Sequence, residues 1–229
     1  MDRNISFFNY SDLFLKHEKE LLDIFQSVGE KGAFIMQQEL SDFESNIADY
    51  TGAKFVLGVA NATDAIQLLL KAGGVGPGDE VIFCSHTMVA TASAIAFTGA
   101  TPVPVEVGSN HLIDPESIKG AITSKTKAII PTQLNGRIAN MDEILDIANE
   151  YNLQIYEDSA QALGAKYKGQ SAGTFGLGGC ISFYPAKTLG CLGDGGAVLT
   201  NDKDIYNKIK LMRDHGRGDD GNVSIWGFN

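Results

Sequence analysis

Apolar positions along this chain follow two rhythms. Residues 12–27 repeat at helical spacing, with Leu13, Leu15, Leu21, Leu22, Ile24 and Phe25 on one side. A glycine-containing link follows at 29–32, and 37–51 reads as a second helix stopped at Gly52. From Lys54 the rhythm changes to short continuous apolar runs alternating with helical ones. The runs at 55–60, 80–84, 101–105, 127–131, 154–157, 180–183 and 197–200 read as buried strands. Between and after them, 65–71, 89–98, 115–121, 141–151 and 203–213 read as helices. About seven strands alternating with helices predict an α/β domain: a mostly parallel sheet with helices on both faces.

Ligands of such sheets bind beyond the carboxyl ends of the strands. That rule selects Asn61–Asp64, Ser85–Met88, Gln133–Gly136, Asp158–Gln161 and Ser182–Lys187. Lys187 stands in a loop with Pro185, Gly190, Gly193, Gly195 and Gly196, between two apolar runs. A partly desolvated amine gives up its proton more easily and becomes a nucleophile toward carbonyls, though a solvated loop lysine is the ordinary alternative. Asp158 ends a buried strand, where a carboxylate needs a cation or strong donors. A structural arginine or lysine could supply the cation, and so could a protonated heterocycle nitrogen. Asn61–Asp64 place capping residues where a strand meets a helix, which suits either ordinary capping or a phosphate. The glycines of 73–78 follow a helix and precede a strand, so they are a helix stop and not a dinucleotide fingerprint.

Composition narrows the classes. The chain has 229 residues, 44% hydrophobic and 20% charged, as in globular proteins. A net charge of −10 with no basic tract argues against a nucleic-acid surface. No apolar run reaches the roughly 20 residues of a membrane span, and the first residues lack a signal-peptide pattern. Three cysteines without ligand spacing read as reduced thiols of a cytoplasmic protein, two of them core. No two of the four histidines stand four apart as a ligand pair, so no metal site is expected.

Four needs fit one cofactor. Pyridoxal 5′-phosphate requires a lysine for its Schiff base, an acid at its ring nitrogen, a phosphate cradle and flat contacts on both ring faces. Lys187, Asp158, the helix start at Ala62–Asp64 with Ser182, and the region of Met88 and Ala160 could supply them in turn.

The chain also resembles the DegT/StrS-type sugar aminotransferases, within the aspartate-aminotransferase fold of pyridoxal-phosphate enzymes (fold type I). The resemblance runs from about Ser6 to the last residue. It is carried by Glu157-Asp-Ser-Ala-Gln-Ala-Leu-Gly164, by Ser182-Phe-Tyr-Pro-Ala-Lys-Thr-Leu-Gly190 with Gly193-Asp-Gly-Gly-Ala197, and by Arg213-Asp-His-Gly-Arg217. It implies that residues 1–229 form the cofactor-binding large domain, with an N-terminal helical segment at 1–53. It implies that Lys187 holds the cofactor as a Schiff base and then moves the proton between cofactor and sugar carbons. By the same resemblance Asp158 keeps the ring nitrogen protonated, Gln161 sits near the phenolic oxygen, and Ser182 with Ala62 and Thr63 cradles the phosphate. Asn229 matches an asparagine that reaches the cofactor of the neighbouring subunit, so a homodimer with shared sites is expected. The implied reaction moves an amino group from an amino acid, glutamate above all, to a nucleotide-linked keto-sugar.

Three departures from the family pattern stand out. Met88 occupies a position often aromatic, and Leu134-Asn-Gly136 one often aromatic or histidine-rich. Family members continue past Asn229 into a smaller C-terminal domain that this sequence does not include, so it reads either as a fragment of a longer protein or as a natural short form. A natural short form would lack part of the substrate cleft's wall, and that supports an alternative, a cofactor-binding or regulatory protein without turnover. The related sugar dehydratases carry a histidine in place of the Schiff-base lysine, so Lys187 argues against that chemistry. A plain nucleotide-binding α/β domain is the remaining reading.

Overall fold

The computed structural model describes residues 5 and 7–229. Residues 1–4 and Ser6, where the family resemblance begins, lie outside the described residues. The chain divides into two compact units, Met1–Phe43 and Glu44–Asn229.

The first unit is built on α1 (Tyr10–Lys31). Asn9 caps it, its side chain accepting from the Asp12 amide at 3.2 Å. The break expected at Gly29 does not occur. The helix runs through Gly29 and ends at Gly32, whose φ of 62° and amide bonds to the Gly29 and Val28 carbonyls make the left-handed stop. A mid-helix glycine costs about 1 kcal/mol but does not by itself terminate a helix. The apolar side read from the sequence is present yet uncovered: α1 buries none of its residues, and Leu15, Leu22, Ile24 and Phe25 are exposed. The second helix, α2 (Gln38–Thr51), crosses the division, and its Ile47 and Thr51 are buried.

The second unit opens with β1 (Phe55–Val59), α3 (Ala62–Ala72), β2 (Glu80–Cys84), α4 (Val89–Phe97), β3 (Thr101–Val105), α5 (Pro115–Ala121) and β4 (Thr126–Ile130). A 3₁₀ turn, Leu134–Gly136, leads to α6 (Met141–Tyr151) and β5 (Gln154–Asp158). Then come β6 (Lys166–Tyr167), β7 (Gln170–Ser171), β8 (Gly178–Ser182), β9 (Gly196–Thr200) and α7 (Lys203–Met212). Seven strands form one sheet in the order β1-β9-β8-β5-β4-β2-β3. Neighbours from β8 to β3 pair parallel, while β9 is antiparallel to both β8 and β1. The sheet is therefore mostly parallel, with β9 reversed. The two-residue strands β6 and β7 form a separate hairpin that the apolar pattern is too short to mark.

Alternation along the strands feeds two cores, one on each face. On one side Tyr156, Cys180 and Val198 pack with Leu69 of α3, Ile95 of α4 and Ile209 of α7. On the other, Ile82, Ile129 and Ile155 pack with Ile118 of α5 and Ile144 of α6. Arg213, from the third sequence motif, fastens three pieces of this unit. It ion-pairs with Glu44 of α2 and donates to the Gly58 carbonyl of β1 at 3.0 Å, from its place just after α7. Glu44 in turn accepts from the Gly58 amide at 2.8 Å.

Candidate active site

Asp158 is the last residue of β5, in the middle of the sheet, and is 5% exposed. Its Oδ2 accepts from the Thr91 hydroxyl of α4 at 2.6 Å. Its Oδ1 accepts from the Ala160 amide at 3.2 Å and faces the Cys180 thiol at 3.6 Å. Burial, and then the Asp158 charge, push the Cys180 thiol well up, so it stays protonated and can donate. The arginine or lysine partner that the sequence allowed is absent: among the described residues no cation pairs with this carboxylate. The donors make burial tolerable, while the cation a buried carboxylate favours is still missing. Sequence reasoning missed Thr91, since a hydroxyl from a helix 67 residues away leaves no local signal.

Lys187 follows the carboxyl end of β8, the strand paired with β5. Its loop is closed on itself. The Phe183 amide donates to the Gly195 carbonyl at 2.8 Å, and the Cys191 amide returns to the Phe183 carbonyl at 2.8 Å. A Cβ on Gly190 would lie 2.3 Å from the Pro185 carbonyl oxygen, so only glycine lets the two ends meet. Lys187 is half-buried in this loop and makes no ion pair among the described residues.

The helix start lies where the sequence put it, although α3 begins at Ala62, three residues earlier than expected. Asn61 caps it, accepting from the Asp64 amide at 2.9 Å. The Ala62 and Thr63 amides precede the first intrahelical bond, so they remain available to an anion. Gly196 brings Ser182 to this point. It pairs with Ser182 on one side and Val59 on the other. A Cβ on Gly196 would stand 2.4 Å from the Asn61 carbonyl carbon and 2.8 Å from the Ala62 nitrogen. Gly196→Ala must therefore push the β1–α3 turn away, at roughly 1–3 kcal/mol. The expected result is a melting temperature lower by about 3–9 °C in a chain of this size, with weaker binding of phosphate esters. A variant melting with the wild type would contradict this close approach.

The remaining candidates differ in placement. Met88 is the N-cap of α4, exposed, with its Sδ accepting from the Ala90 amide at 3.1 Å. It stands one turn before Thr91, which also bonds Thr87. Gln161 faces the 3₁₀ turn, its Oε1 accepting from the Asn135 amide at 3.2 Å and its carbonyl from the Gly136 amide at 3.0 Å. Asn229 is exposed, and no hydrogen bond ties it to the other described site residues. The sequence also passed over Glu157, which is fully buried on the opposite face of β5 from Asp158. Burial pushes its carboxyl up to about 7, against bonds from Phe175, Gln133, Gly173 and Ser159. Among the described residues no group of histidine, cysteine and acidic side chains is set to hold a metal, and no helix is long and apolar enough to cross a membrane.

Comparison with known proteins places this geometry. A UDP-2-acetamido-2-deoxy-3-oxo-D-glucuronate aminotransferase from Pseudomonas aeruginosa is 44% identical over 193 residues, covering 84% of this chain and 54% of that protein. The chain thus spans about half the length of the curated relatives it matches. The crystal structure of S. venezuelae DesV in complex with a ketimine intermediate superimposes with a TM-score of 0.95 at 37% identity, over 100% of this chain and 62% of that one. Ntda from Bacillus subtilis with bound cofactor PMP does so at 0.92 and 31% identity, over 100% of this chain and 53% of that one. The model of the DegT/DnrJ/EryC1/StrS aminotransferase family matches residues 16–229, and the chain belongs to that family.

Proposed function

We propose that this chain carries the cofactor site of a pyridoxal-phosphate-dependent aminotransferase that moves an amino group from an amino acid, glutamate above all, to a nucleotide-linked keto-sugar. The observation that carries the reading is Asp158: a buried carboxylate with donors but no cation, at the end of the strand beside the one leading to Lys187. A protonated ring nitrogen is the cation this site lacks. The PMP held by the Bacillus subtilis relative and the sugar named for the Pseudomonas aeruginosa relative support the cofactor and the acceptor class.

The residues fit the group. Lys187 would hold it covalently, and its Nζ would then carry a proton to and from the substrate carbon. Asp158 would keep the ring nitrogen protonated, with Thr91 fixing the carboxylate's orientation. The Ala62 and Thr63 amides and the Ser182 hydroxyl would bind the phosphate, helped by the positive end of α3. Met88 would lie against the ring, and Gln161 near its phenolic oxygen. Asn229 would reach the partner subunit's cofactor, making the working unit a homodimer. When bound, pyridoxal phosphate supplies an electron sink for negative charge developing at the substrate carbon.

The loaded protein mixed with L-glutamate should release one 2-oxoglutarate per site and lose the visible absorbance of the cofactor held on Lys187. A UDP- or dTDP-linked keto-sugar should restore that absorbance. Cofactor binding without any 2-oxoglutarate would favour a member of the family that binds but does not turn over.

A further inference from the structure

The fully buried carboxylate of Glu157 is idle in the reaction above, yet its bonds lead to the site. Its Oε1 accepts from the Phe175 amide at 2.7 Å. Its Oε2 accepts from Gln133 Nε2 at 2.7 Å and from the Ser159 hydroxyl at 3.4 Å. Gln133, itself fully buried, uses its other end to accept from the Ala139 amide at 2.8 Å. Between Gln133 and Ala139 lies the turn Leu134–Gly136, in which Asn135 and Gly136 take left-handed conformations, with φ of 53° and 73°. Asparagine and glycine tolerate that region, but two such residues in succession do not form a self-supporting helical turn. The turn's own bond, from the Arg137 amide to the Leu134 carbonyl at 3.0 Å, is backed from outside, at its base by Gln133 and at its tip by Gln161.

We propose that Glu157 is a positioning residue: through Gln133 it fixes the turn Leu134–Gly136, and through that turn the place of Gln161. What Gln161 faces rests on the aminotransferase reading. The hydrogen-bond chain itself does not. Its polarity is fixed, because Glu157 offers acceptors to donors on both sides, while Gln133 must present its amide nitrogen to Glu157 and its oxygen to Ala139.

That polarity supplies the test. Glu157→Gln sets an amide nitrogen against either Gln133 Nε2 or the Phe175 amide, a clash of donors. Gln133→Glu sets two buried acid groups face to face, which cannot both ionise, and removes the amide that donated to Glu157. Made together, the two substitutions rebuild the pattern with its ends exchanged, since the amide at 157 donates to the carboxylate at 133, which still accepts from Ala139. Amide exchange is followed in the pyridoxal-phosphate-loaded protein, alongside the single-turnover reaction with L-glutamate. Each single variant should speed exchange at Asn135, Gly136 and Ala139 by about tenfold or more. Each should also slow the single turnover about tenfold, with pyridoxal-phosphate affinity within about twofold of wild type. The double variant should recover most of both losses. Wild-type exchange in Glu157→Gln, or a double variant no better than the worse single one, would overturn the proposal. If a single variant fails to fold, a folded double variant supports the proposal, and one that also fails overturns it. The exchange pattern without any 2-oxoglutarate from the wild type would support the positioning role while sinking the aminotransferase reading.

Discussion

Lys187→Ala should lower transamination by at least about 10³-fold while leaving the fold intact. The residue would serve twice, holding the cofactor and moving a proton, and proton transfer by a placed side chain alone contributes about 10²–10⁴-fold. Stability should change little, because the side chain is half-buried in a loop closed by backbone bonds of Phe183, Cys191 and Gly195, none of which uses the amine. The check is a single-turnover assay with L-glutamate on the variant loaded with pyridoxal phosphate, beside its melting curve. Turnover within tenfold of wild type would remove Lys187 from the mechanism.

Asp158→Asn should cost about 10²–10³-fold in rate with a smaller effect on cofactor affinity. An opposite charge at close range shifts a titrating group by about 1–3 units toward its charged form, and the amide gives up that hold on the ring proton. The isosteric amide can still accept from Ala160 through its oxygen while its nitrogen donates to the Thr91 hydroxyl, which reverses its role, so packing at the end of β5 should survive. Single-turnover rates, with cofactor affinity measured separately, distinguish lost chemistry from lost binding. An unchanged rate would leave the buried carboxylate with a structural role.

Much of this arrangement is written locally. The apolar runs mark the seven strands of the sheet to within about two residues at each end, because strands covered by helices on both faces read as continuous apolar runs, with the edge strand β3 the least covered. The carboxyl ends of those strands then lead to Asp158, Ser182 and Lys187. Local signals mislead where a cap competes with a count of apolar positions. Asn61 starts α3 earlier than the apolar residues alone suggest, and Gly32, not Gly29, stops α1. The reversal of β9 leaves no mark in its own residues. It is legible only in its connection: residues 183–195 contain no helix to carry a parallel crossover, so the chain returns antiparallel. The bonds that orient the site were out of reach. Thr91 to Asp158 and Gln133 to Glu157 join residues 67 and 24 positions apart, and one sequence does not show which hydroxyl or amide will face a buried acid.

The central claim is that Lys187 holds the cofactor. Borohydride reduction of the pyridoxal-phosphate-loaded protein, followed by peptide mass mapping, tests it most directly. The account predicts one phosphopyridoxyl group per chain, on Lys187. A label on Lys166, Lys168 or any other lysine, with Lys187 unmodified, would contradict it.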